Sequence, residues 1–93
     1  DLTTLITALE RAERITLERA QINRLLLKFK GLTEREKQIS ALVYEGLTNR
    51  EIANQEAISV RTVEVQRASS MKKLGTESLA EFISALNQIY SLQ

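Results

Sequence analysis

Arg61, Glu64, Val65 and Ala68 recur at the spacing that places side chains on one face of a helix. Their chemistry suits the reading of base edges. An arginine donates to guanine, a glutamate accepts from cytosine N4, and a small apolar side chain meets a thymine methyl. Around them stand residues suited to phosphate oxygens. Thr62, Gln66, Arg67 and Lys72 flank that face, and Thr48, Asn49 and Arg50 sit at the start of the preceding helix, whose N–H groups and dipole also favour anions. A plainer alternative is that Arg61, Glu64 and Arg67 form a solvated face, since charged residues at i, i+3 often pair.

Few other chemistries are open to this chain. The 93 residues contain no histidine and no cysteine, which removes the commonest general base, the thiol nucleophile and the usual metal ligands. There is no paired-carboxylate arrangement and no glycine-rich phosphate loop. We therefore expect no enzyme activity, metal, cofactor or small-molecule ligand. No apolar run approaches the ~20 residues of a membrane span, and the N-terminus lacks a signal-peptide pattern, so the expected setting is cytoplasmic.

Net charge is +1. Residues 1–30 carry six basic and four acidic side chains (+2), and residues 31–93 carry seven and eight (−1). A nucleic-acid surface normally has a basic footprint, so the cations must gather on one face, and a second copy would double them.

The elements that position these residues are helical. The chain has no proline and only three glycines, Gly31, Gly46 and Gly75. Residues 2–29 read as one long helix with a heptad frame. Leu5, Ala12, Arg19 and Leu26 stand at a, and Ala8, Ile15, Ile22 and Phe29 at d. This predicts pairing through Leu5, Ile15, Ile22, Leu26 and Phe29; the alternative is a helix packed on another domain. Gly31 is a C-terminal stop, and Thr33 with Glu36 makes a capping box for a helix over 34–45. Thr48 or Asn49 caps a short helix over 50–56, whose inward residues are Ile52 and Ala53. Ser59 caps a helix over 60–74, and Thr76 or Ser78 caps a last one over 79–90. That last helix has a stripe of Leu79, Phe82, Ile83, Leu86, Ile89 and Tyr90, shared between core and a dimer seam in proportions the sequence leaves open. The fold class is all-α: a four-helix helix-turn-helix domain over 31–93 behind a linker or dimerisation helix over 1–30.

The run LTEREKQISALVYEGLTNREIANQEAISVRTVEVQRASSMKKLGTESLAEFISAL, Leu32–Leu86, resembles the LuxR-type helix-turn-helix domain, most of all the FixJ/NarL group of response-regulator output domains. The pieces LTEREKQI, EGLTNREIA, ISVRTVEV, KKLG and SLAEF fall in family order without a gap. Residues 1–30 are similar, in composition only, to the end of a receiver domain followed by a linker helix. The resemblance implies a four-helix domain that dimerises partly through its last helix, here Leu79, Phe82, Ile83 and Leu86. It also implies that the helix starting near Val60 enters the major groove. Carried over by position, base contacts fall on Arg61, Glu64, Val65 and Ala68. Phosphate contacts fall on Thr62, Gln66, Arg67 and Lys72, with Asn49 and Arg50. The implied function is sequence-specific transcription regulation at the output end of a two-component system. The partners would be double-stranded DNA and a second copy, with RNA polymerase as a further candidate.

Four positions depart from the family pattern. Glu56 stands where leucine is usual, Ala57 where the turn usually has Gly, Asn or Asp, Gln66 where His is frequent, and Ser70 where an aliphatic residue is favoured. The competing function is a protein-interaction module that keeps the fold but uses Glu64, the acidic surface and the apolar last helix on a protein partner. A sigma-factor promoter-specificity region fits the first pieces loosely, but KKLG and SLAEF favour the LuxR type.

Overall fold

Helix boundaries follow from caps at both ends. The structure, a computed structural model, describes residues 1–92, except the side chains of residues 13–16. Five helices run in order: α1 Leu2–Lys30, α2 Glu34–Tyr44, α3 Asn49–Glu56, α4 Val60–Leu74 and α5 Leu79–Tyr90. Every start has a side-chain cap: Asp1, Thr33, Thr48, Ser59 and Ser78 each accept from a backbone N–H three residues on. Thr33 with Glu36, and Thr48 with Glu51, close full capping boxes.

The ends of α2, α3 and α4 share one device. Gly46, Ala57 and Gly75 take positive φ of 96°, 56° and 74°. The next residue then donates to the carbonyl five residues back: Leu47 N–H to Leu42, Ile58 N–H to Ala53 and Thr76 N–H to Met71. The reversal turns Leu47 and Ile58 onto the core. Gly31 works differently, ending α1 at φ −78° with no left-handed turn.

The core is built from one stripe of each short helix. Ile39 and Val43 of α2, Ile52 and Ala53 of α3, Val63 and Leu74 of α4, and Phe82, Leu86 and Ile89 of α5 are buried together. Each large apolar side chain so buried contributes about 1.5–3 kcal/mol. The helix-turn-helix expectation holds: α3 and α4 pack against each other, and α2 and α5 cover α4 from behind.

α1 belongs to the packed body only at its C-terminal end. Leu25, Leu26 and Phe29 lie against the core, and α1 touches α4 and α5. Phe29 meets Tyr90 edge-on at 6.0 Å, and Tyr90 meets Tyr44 at 4.9 Å, so three aromatic rings join α1, α5 and α2. The rest of α1 projects, with Leu2, Leu5, Ile6 and Leu9 exposed. The extents of 63 × 23 × 22 Å and radius of gyration of 17.5 Å record this; a compact chain of this size would have about 12 Å.

Burial corrects part of the expected dimer seam. Phe82 and Leu86 are fully buried in the chain's own core, so neither is available to a partner. Leu26 and Phe29, read as heptad positions, face α1's own domain instead, because the last turns of α1 dock there. Ile22 is half-buried, and Ile15 lies outside the described residues. Leu5, Leu79 and Ile83 remain at or near the surface.

Candidate nucleic-acid interface

α4 has two chemically distinct sides. Val63, Ser70 and Leu74 point inward, and Ser70, at 0% exposure, spends its hydroxyl on the Gln66 carbonyl at 2.8 Å. This accounts for a serine at an aliphatic position: its one polar group is satisfied within the helix. On the opposite side Arg61, Glu64, Val65 and Ala68 are all exposed, so the structure brings the four base-reading candidates onto one outward face. Arg61 and Glu64 are 3.5 Å apart, an exposed i, i+3 pair. Such pairs are weak, so either residue can exchange its partner for a base edge.

The phosphate candidates are more constrained than their residue types suggest. Thr62 shares its hydroxyl with Ser59 at 2.8 Å, at the N-terminus of α4. Gln66 is half-buried, and Lys72 is exposed in the last turn of α4. Arg67 was expected beside the reading face. Instead it lies four residues after Val63 and three before Ser70, on the inward stripe, and is half-buried. Its Nη1 donates to Asn49 Oδ1 at 2.6 Å, across 18 residues of chain, at the start of α3.

The N-terminus of α3 is partly occupied by the chain's own carboxylate. Thr48 N–H donates to Glu51 Oε1 at 2.9 Å, and Glu51 N–H donates to Thr48 Oγ1 at 3.2 Å. The Thr48 amide, and then its hydroxyl, hold the Glu51 carboxyl below its usual range. Two of the four free N–H groups expected at this end are therefore already engaged. Exposed Arg50 follows directly.

Behind the exposed face of α4 stands a buried carboxylate whose place in the sequence marks it only as part of a cap. Glu36 is 2% exposed. Its Oε1 accepts from Thr33 N–H at 2.8 Å and from Lys73 Nζ at 2.6 Å, and its Oε2 accepts from the Ser69 hydroxyl at 2.5 Å. Burial alone would raise its pKa. The Lys73 ammonium, then Ser69 and Thr33, outweigh that and lower it from 4.5 to about 2. Ser69 and Lys73 are one turn apart on α4, so a single carboxylate grips α4 at two points. The i, i+4 spacing of Ser69 and Lys73 was visible in the sequence; that both face Glu36 was not.

A second strut joins α2 to the end of α3. Arg35 Nη1 meets Glu56 Oε1 at 3.1 Å. Glu56 thus makes a charged contact at the end of α3, and Arg35 is committed to this pair. Ala57 directly after it takes the left-handed conformation, as the turn requires.

Two short helices joined by this turn, with the second presenting an exposed mixed face, define a helix-turn-helix domain of the kind that binds DNA. The family model of the bacterial regulatory proteins of the luxR family matches residues 30–86, and the chain belongs to that family. Its helix-turn-helix is thus a DNA-binding domain of the type found in those regulatory proteins.

The chain is 40% identical over 84 residues to the tetrathionate response regulatory protein TtrR of Salmonella typhimurium, covering 90% of this chain and 41% of that protein. It is 39% identical over 85 residues to the transcriptional regulatory protein FixJ of Rhizobium meliloti, covering 87% and 42%. Among solved structures, full-length FixJ from B. japonicum superposes with a TM-score of 0.76 at 32% identity, covering 99% of this chain and 46% of that one. The response regulator StyR superposes with a TM-score of 0.75 at 33% identity, covering 95% and 46%. The chain thus spans less than half the length of these relatives.

Proposed function

We propose that α4 enters the major groove of double-stranded DNA and reads sequence through Arg61, Glu64, Val65 and Ala68, with two copies of the chain on a two-fold-related site. The observation that carries this reading is the division of α4: one side is locked into the core by Val63 and Leu74, while the other holds four exposed side chains suited to base edges. Lys72, Thr62 and Gln66, together with Arg50, Arg67, Asn49 and Thr48 at the start of α3, set the domain on the backbone without reading sequence.

The second copy is held through the open groove lined by Tyr44, Leu79, Ala80, Ile83, Ser84 and Asn87, and through the projecting end of α1 at Leu5. Doubling the cations in this way offsets the −1 charge of residues 31–93. The relatives' names support a place in a response regulator; the chain would form the output end of a two-component system acting in the cytoplasm. There, activation of a preceding receiver domain brings two copies together and raises the effective concentration of one beside the other. RNA polymerase is the protein partner this role calls for.

The test is selection from a random double-stranded library at two salt concentrations, with sequencing of the bound pool. A two-fold-related motif whose retention falls steeply with salt is the expected result. A folded sample with no enrichment and no salt-dependent retention would shift the reading to a protein-interaction module, which the acidic balance of residues 31–93 favours.

A further inference from the structure

The bond between Asn49 and Arg67 joins two residues that were each expected to meet phosphate separately. Arg67 leaves α4 on its inward stripe, and its guanidinium is met at the first residue of α3 by Asn49 Oδ1 at 2.6 Å. Both residues are half-buried. A free arginine of this length samples many rotamers, and ordering it on binding weakens affinity. Here one of its five N–H donors is already engaged by a neutral acceptor, so the guanidinium is held in place with its full charge and four donors left. Asn49, its acceptor, is followed directly in the chain by exposed Arg50.

We propose that Asn49 is a positioning residue for Arg67: it acts on DNA by holding the Arg67 guanidinium ready for a backbone phosphate, and the two form one contact rather than two. The inference rests on the DNA-binding reading above. Asn49 contributes pre-organisation, and Arg67 contributes the charge. Losing Asn49 therefore leaves the ion count of binding unchanged, while losing Arg67 changes it.

The experiment is a double-mutant cycle on the 93-residue chain, with Asn49→Ala, Arg67→Ala and the double variant. Binding to a random-sequence duplex is followed over a series of salt concentrations, because phosphate contacts need no operator. Urea unfolding of each variant checks that it is folded. Arg67→Ala is expected to lower the slope of log K against log salt by about one for each bound copy. Asn49→Ala is expected to weaken binding about three- to tenfold at unchanged slope, matching the ordering of one long side chain. In the Arg67→Ala background, Asn49→Ala should have no further effect.

An equal loss from Asn49→Ala in both backgrounds would make Asn49 an independent contact and overturn the proposal. So would binding by Arg67→Ala at wild-type strength and slope. Either result leaves the DNA reading standing, since the wild type still binds. Failure of the folded wild type to bind any duplex at low salt would remove that reading and the proposal with it.

Discussion

Glu36 of α2 and Lys73 of α4 meet at 2.6 Å, 37 residues apart in the chain, with the carboxylate side chain only 3% exposed. The pair fixes the rear of α4. Because folding lowers the carboxyl pKa from 4.5 to about 2, its contribution is fully present above pH 4.5. It is lost as pH falls through that window toward 2, where protonation removes the charge that Lys73 needs. A shift of this size corresponds to on the order of 3 kcal/mol. Glu36→Gln is expected to lower stability near neutral pH by about 2–3 kcal/mol and to flatten the fall between pH 4.5 and 2. Urea unfolding at several pH values checks both; an unchanged acid profile would show that Glu36 is not the group responsible.

Ala57 is the one non-glycine residue with positive φ among those described. A Cβ is strained there, and glycine relieves it. Ala57→Gly is expected to raise stability by roughly 0.5–1 kcal/mol, seen as a higher urea midpoint at constant slope. A bulkier Ala57→Val should lower it by more than that gain. A loss of stability in the glycine variant would mean that the strain at this turn is negligible beside the added freedom of the unfolded chain.

Arg61 projects from the first turn of α4 with its side chain 81% exposed, beside Glu64. If it reads guanine, Arg61→Ala should weaken operator binding by ~1–3 kcal/mol and relax preference at one position. Competition assays with single-base operator variants check this. Equal loss on every sequence would reassign Arg61 to the phosphates.

Leu26 and Leu79 allow folding to be tested apart from the proposed pairing of two copies. Leu26 packs on the core, whereas Leu79 is 51% exposed at the edge of the α2–α5 groove. Leu26→Asp is expected to lower the unfolding midpoint by burying a charge in an apolar contact. Leu79→Asp should leave that midpoint nearly unchanged and shift sedimentation toward the monomer. A Leu79→Asp chain that still sediments as a dimer would place the seam elsewhere.

The LTEREKQI to SLAEF run shows how much of the site was legible. Ser59, Val63 and Leu74 predict α4, its cap and its inward stripe, and the spacing of Arg61, Glu64, Val65 and Ala68 predicts the face left outside. Arg67 was not legible in the same way. Its charge suggested the flank of the face, yet its register places it on the inward stripe beside Ser70, and it avoids full burial by reaching Asn49.

The sequence by itself determined most of what is set within one or two turns of helix. The caps at Thr33 and Ser59, the turns at Gly46, Ala57 and Gly75, and the outward face of α4 depend on contacts between near neighbours in the chain, whereas Thr48 over Asn49 and Ser78 over Thr76 were settled only in the structure. Tertiary structure alone decided which polar groups meet across helices: Glu36 with Ser69 and Lys73, Arg35 with Glu56, and Arg67 with Asn49. It also decided that Phe82 and Leu86 close the core while Leu79 stays outside. These pairings depend on the angles and distances at which separate helices pack. No local periodicity encodes those angles, because they emerge only when several apolar stripes are buried at once.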